Sequence, residues 1–126
     1  MDRKTTYRDG ALFGVLMAAA ARIHAGHMVC ANASGYAVMG SNATGLTTLG
    51  MATEFVDNST GSDGDQSVLV RKGKAFSFSN NGASPVTQAL VGKPCYIADS
   101  QSVAAVGDVV AGTVLFIDAD GVWVFI

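Results

Sequence analysis

Ser67-Val68-Leu69-Val70-Arg71 and Lys74-Ala75-Phe76-Ser77-Phe78-Ser79, separated by Lys72-Gly73, form the stretch whose reading decides the fold. Apolar and polar residues partly alternate in both runs, which is the period of a strand with one face buried. Valine and phenylalanine suit a pleated, half-covered surface, and a glycine between two such runs marks a tight connection. The stretch therefore predicts a β-hairpin with Val68, Val70, Phe76 and Phe78 on a shared buried face. The same pattern of short apolar run and turn signal extends outward in both directions. Towards the N-terminus it predicts strands at Met28–Asn32, Tyr36–Met39 and Leu46–Val56, with turns at Ala25-Gly26 and Ser34-Gly35. Asp57–Gln66 has no large apolar side chain and reads as an exposed loop.

Towards the C-terminus, Pro85–Val91 predicts one or two helical turns, begun by Pro85 and stopped by Gly92. Strands follow at Cys95–Ala98 and Val109–Ile117, then the turn Asp118-Ala119-Asp120-Gly121 and the closing run Val122-Trp123-Val124-Phe125-Ile126. In that last strand Trp123 and Phe125 share one face, and Val122, Val124 and Ile126 the other. Both faces should be covered, one by core and the other by core or a sister subunit. About eight short strands at frequent turn signals predict a mainly β fold, a small antiparallel sandwich or barrel with at most one short helix. The organisation expected is an N-terminal arm over residues 1–22 and a single β domain over 23–126.

The arm admits two readings. Arg3, Lys4 and Arg8 precede the apolar run Gly10–Ala21, which imitates a secretory signal. On that reading residues 1–25 are a leader, and the remainder is a secreted or surface β binding module. Asp2, Asp9 and Arg22 sit where a signal would not place charge, and the run is shorter than the roughly twenty residues of a spanning helix. The favoured reading is an arm that packs on its own domain or on a neighbour.

Composition narrows the function classes. Of 126 residues, 49% are hydrophobic and only 14% charged, which excludes intrinsic disorder. So little ionic surface predicts that part of the exterior is covered by a partner. Eight basic and ten acidic residues give a net charge of −2, without the basic stripe that nucleic-acid binding uses. Charge runs in blocks, positive over 1–22 and 71–93 and negative over 23–70 and 94–126.

Candidate chemistry is sparse. His24, His27 and Cys30 have zinc-compatible types and spacing, but they span a glycine turn and lack a fourth ligand. Asp63-Gly64-Asp65 and Asp118-Ala119-Asp120-Gly121 lack the terminal glutamate of a calcium loop. No glycine loop ends in the Lys-Ser/Thr pair that grips nucleotide phosphates. Cys30 and Cys95 lie in apolar runs and read as buried free thiols. Three glycosylation sequons begin at Asn32, Asn42 and Asn58. Arg71-Lys72-Gly73-Lys74 is a compact basic tip that could meet an acidic surface. No catalytic set, metal or cofactor is expected, and the reading is not an enzyme.

In whole phrases the chain resembles the capsid cement, or head decoration, proteins of tailed bacteriophages. The phrases are Tyr7-Arg8-Asp9-Gly10, Ile23-His24-Ala25-Gly26, Ala31-Asn32-Ala33-Ser34-Gly35-Tyr36-Ala37-Val38 and Glu54-Phe55-Val56-Asp57-Asn58. They continue with Val70-Arg71-Lys72-Gly73, Val86-Thr87-Gln88-Ala89-Leu90-Val91-Gly92-Lys93-Pro94-Cys95-Tyr96, Ala111-Gly112-Thr113-Val114 and Asp118-Ala119-Asp120-Gly121-Val122-Trp123-Val124. The resemblance covers nearly the whole chain and departs in the apolar content of Ala11–Ala21. It implies a β-tulip-like decoration domain that binds the outside of an icosahedral shell and clamps adjacent major capsid protein subunits. It also implies a homo-oligomer, a trimer favoured and a dimer allowed, made in the host cytoplasm and carried on the virion exterior. Neither nucleic acid nor membrane is an expected partner. The expected capsid or oligomer contacts are Tyr7, Leu12, Phe13, Leu16 and Met17 of the arm and Arg71, Lys72 and Lys74 of the tip.

Overall fold

The computed structural model describes residues 1–6 and 10–126. Seven strands occupy the first part of the chain: β1 (Leu12–Leu16), β2 (Arg22–Ile23), β3 (Met28–Ala31), β4 (Ala37–Met39), β5 (Thr47–Ala52), β6 (Val56–Asp57) and β7 (Ser67–Arg71). The second part carries β8 (Ala75–Asn80), β9 (Pro94–Asp99), β10 (Ser102–Ala104), β11 (Val110–Asp118) and β12 (Gly121–Phe125). The fold is mainly β and mostly antiparallel, with one parallel strand pair among the described residues, β8 with β10.

The decisive stretch forms its two strands but not a hairpin. β7 lies between β1 and β5 in a five-stranded sheet ordered β1-β7-β5-β3-β4. β8 lies between β10 and β12 in a closed five-stranded barrel ordered β10-β8-β12-β11-β9. Val68 and Val70 consequently enter a different core from Phe76 and Phe78. The link explains the outcome. Lys72 donates its backbone N–H to Ala11 O at 2.8 Å, and Gly73 donates its own to Ile126 O at 2.5 Å. Gly73, at φ +74°, turns the chain from one layer to the other instead of back on itself. β1 and β12 then supply the partners that the two runs would otherwise have found in each other.

Two cores result, and β3 divides them. Met28 and Cys30 point into the barrel core with Phe76, Phe78, Ile97, Val114, Val122 and Val124, whereas Val29 points into a smaller core. The smaller one holds Met17, Ile23, Ala37, Ala52, Val68 and Val70. The sheet thus rests one face on the barrel and curls round the other. Met17 bridges Ala37 of β4, and Ala18 N–H donates to Ala37 O at 3.0 Å, drawing the two sheet ends together. A ribbon of β2 and β6 closes this end, with an exposed Arg22–Asp57 ion pair at 3.4 Å that adds little stability.

The expected arm joins the sheet well before residue 22. Leu12 to Leu16 pair in antiparallel register with Arg71 to Ser67, Phe13 and Val15 facing the smaller core. Met17 and Ile23 have no exposure at all. An alternating apolar run beside a vacant strand edge gains both backbone bonds and burial by pairing there. The predicted strand Leu46–Val56 begins at Thr47 and is interrupted from Thr53 to Phe55, where Thr53 N–H donates to Leu69 O and Glu54 Oε1 accepts from Leu69 N–H. The expected helix is one 3-10 turn, Gln88–Leu90, entered from an extended Thr87. It does not begin at Pro85 because the Asn80 carboxamide binds both backbone groups of Val86, at 2.7 and 2.9 Å. In β12, Val122 and Val124 are fully buried, but Phe125 is 47% exposed and Trp123 only partly covered. Its outer face lacks the cover expected of it within one chain.

Candidate interaction surface

The contacts expected on the arm and on the basic tip meet along one sheet edge. Among the described residues β1 pairs with β7 alone of the strands, so its far side is an edge until the Met17–Ala37 bridge meets β4. Register places Leu12, Gly14 and Leu16 on one face with Arg71, Leu69 and Ser67. On that face Leu16 is 54% exposed, and Leu12 and Leu69 are each 37% exposed. Nearer the sheet centre the same face is covered by the barrel, through Met28, Cys30 and Met51. Leu12, Leu16 and Leu69 continue that apolar face beyond its cover.

Basic residues gather at its Leu12 end, Arg71 on the same face and Lys72 reaching over Phe13 on the other. Arg71 is half-buried, while Lys72 and Lys74 are exposed. The Lys72 ammonium stands 5.9 Å from the centre of the Phe13 ring, within cation–π range. One expected contact is corrected, and a second is only partly accessible. Met17 is sealed in the smaller core and cannot touch a partner; Phe13 packs against the same core but stays partly exposed beneath Lys72. Both follow from alternation: with Leu12 and Leu16 outside, Phe13 and Val15 must face in, and Met17 is caught between two sheet ends. Tyr7 lies outside the described residues.

The other candidates take structural roles. His27 Nδ1 lies 2.8 Å from Ser100 Oγ, and His24 packs its ring on Phe55 with centroids 4.9 Å apart. Cys30 faces the barrel core instead, its sulfur 3.8 Å from Thr48 Oγ1, so the three do not converge. Among the described residues no group of three or more His, Cys, Asp or Glu is gathered closely enough to hold a metal ion. Burial pushes the Cys30 thiol up and drives that of Cys95 to about 11, which leaves both protonated at neutral pH. Asp63 accepts from Ala19 N–H at 2.7 Å, tying its loop to the chain after Met17, and Asp65 accepts from Ser62 N–H at 2.8 Å within the loop. Asp118 accepts from Asp120 N–H and from Trp123 Nε1–H at 2.9 and 3.0 Å. A backbone N–H bond from Gln101 holds the Asp99 carboxyl below the usual carboxylate range.

The sequon asparagines are also engaged. Asn32 accepts from Ser34 and Tyr36 N–H, Asn42 accepts from Asp108 N–H, and buried Asn58 donates to Ala18 O and Ser62 O. Between the layers an open groove of about 540 Å³ runs past Thr48, Val110, Gly112 and Phe125. Among the described residues no buried side-chain N or O lacks a hydrogen-bond partner, so no unpaired polar group is aimed into it.

Sequence reasoning placed Trp123 and Phe125 on one face of the last strand but missed Phe116 beside them. The barrel exterior carries Phe116, Trp123 and Phe125 side by side, with Phe116 stacked on Trp123 at 5.5 Å and 17°. Its signal is the Trp123/Phe125 spacing, which calls for cover of this face by core or by a sister subunit; within one chain the face has neither. No helix among the described residues is long and apolar enough to cross a membrane. Compared with known proteins, the chain matches no family model, and no curated protein or solved structure matches it.

Proposed function

We propose that this chain is a structural, non-enzymatic virion protein that binds the outer surface of an icosahedral phage capsid and cements adjacent major capsid subunits. The observation that carries the reading is the convergence on one edge of two features singled out separately, the apolar arm and the basic tip. Leu12 pairs with Arg71 at the Lys72–Lys74 end of β1, and Leu16 continues the same face about 13 Å further along a strand whose far side, among the described residues, carries no strand from Leu12 to Val15. A free edge can accept or add a strand, exposed leucines supply apolar area, and the basic end selects an acidic partner surface. Contacts of this size are individually weak, but an oligomer that engages several shell sites at once binds far more tightly. The protein would accordingly occupy the virion exterior and, during assembly, the host cytoplasm.

The secreted-module reading fits less well, since a cut after residue 25 would strip Met17 and Ile23 from the smaller core and β1 from its sheet. The test is co-sedimentation with empty, expanded capsids. Wild-type protein should pellet with the shells. Leu16→Glu, and separately the pair Lys72→Glu and Lys74→Glu, should remain folded and pellet poorly. Pelleting of both variants at the wild-type level would overturn the placement of the contact, and absence of wild-type binding would overturn the function.

A further inference from the structure

We propose that the outer face of β8, β12 and β11 docks a second copy of this chain, the two faces meeting about a twofold axis with their strands antiparallel. Register defines the face. Ser77, Trp123 and Phe116 form one cross-strand row, and Ala75, Phe125 and Thr113 form the next. Their neighbours Phe76, Phe78, Val114, Val122 and Val124 point into the barrel. A bulge between Val114 and Phe116 adds Leu115, 39% exposed, to the outside. Neither row contains a charged residue.

The ends of the face are charged with opposite sign. Lys74 is exposed one residue before Ala75, at the end where Ile126 N–H donates to Lys74 O. Asp118, the last residue of β11 and the acceptor of the Trp123 Nε1–H bond, and Asp120 in the turn are exposed at the other end, beyond Phe116 and Trp123. Five strand steps, from Gly121 to Ile126, separate the ends by about 17 Å. A surface that is positive at one end, negative at the other and apolar between is complementary to itself after a half-turn. In that arrangement Lys74 of each copy meets Asp118 and Asp120 of the other, and Phe125 packs on the Phe116–Trp123 pair. A parallel approach would instead set lysine on lysine and aspartate on aspartate.

This layout favours a dimer through this face over the trimer that the family resemblance implies. Phe116 and Phe125 are each 47% exposed. With Leu115 and part of Trp123 they offer on the order of 300 Å² of apolar surface, the size at which patches on single domains become functional. A standard interface takes roughly 800 Å² per partner, so the pair should dissociate in the micromolar range. The pairing does not rest on the capsid reading, and its test requires no shell.

Trp123 is the sole tryptophan and lies on the face itself, so its emission reports burial there directly. Sedimentation of the full chain across the micromolar range should show a monomer–dimer equilibrium, with Trp123 emission shifting to the blue as dimer forms. Lys74→Asp and Asp120→Lys, both at exposed positions, should each weaken pairing roughly tenfold while far-UV circular dichroism stays unchanged. The double variant, which exchanges the charges, should restore pairing to within about twofold of wild type. A monomer at every concentration, an oligomer with unshifted Trp123 emission, or a double variant no better than the singles would each overturn the proposal.

Discussion

Truncating Met17 to alanine separates a strand that belongs to the domain from an arm that merely lies on it. The side chain has no exposure and sits in a core of seven buried residues, where few neighbours can move to refill the space. Met17→Ala removes three heavy atoms, and at about 0.8 kcal/mol per buried methylene-sized group the transfer loss is about 2–2.5 kcal/mol. The cavity left behind adds about 1–2 kcal/mol, for a total near 3–4 kcal/mol, inside the usual range for such truncations. A domain of this size should then melt about 10–15 °C lower. Leu16→Ala is the internal control. Its side chain is 54% exposed one residue away, so it should cost well under about 1 kcal/mol. Thermal and urea unfolding of the two variants beside wild type provide the assay. A Met17→Ala melting temperature within about 2 °C of wild type would refute the placement of this segment in the core.

Asn58→Ala should cost about 2 kcal/mol in urea unfolding, because it leaves the Ala18 and Ser62 carbonyls without their donor. Gly112→Ala should cost about 1–3 kcal/mol, since its Cβ would run into the Phe125 carbonyl and stand 2.9 Å from Val124 Cγ1. Stability should fall in alkali. The unfolded chain ionises Cys95 near 9.0 while the folded chain holds the proton until about 11, so stability is full below the lower value and lost as pH rises through the higher. The loss is about 2–3 kcal/mol, and Cys95→Ala should flatten the dependence of the urea midpoint on pH between the two values.

Strand character was legible wherever a short apolar run lies between turn residues, as at Met28–Ala31, Val110–Asp118 and Gly121–Phe125. Partnership was not. Val68, Val70, Phe76 and Phe78 are all buried as their spacing requires, yet alternation says only that a face is covered and not by what. A link containing glycine serves a hairpin and a passage between layers equally well, and here the bonds from Lys72 and Gly73 to distant backbone decided for the passage. β1 was obscured by its small residues and basic flank, which imitate a leader. The two-residue strands β2 and β6 carry no periodicity to detect. At the candidate surface the residue types were legible in Leu12, Leu16, Lys72 and Lys74. Their convergence was not, because the β1–β7 pairing joins segments more than fifty residues apart in sequence.

The placement of β3 has a consequence for how the molecule comes apart. Met28 and Cys30 complete the barrel core while Val29 completes the other, so neither core can open without baring part of its neighbour. Two compartments that share a wall lose the option of melting separately, and their stabilities merge into a single cooperative unit. The amides of β3, paired to β4 on one side and β5 on the other, are the last that solvent deuterium should reach, exchanging only through global unfolding.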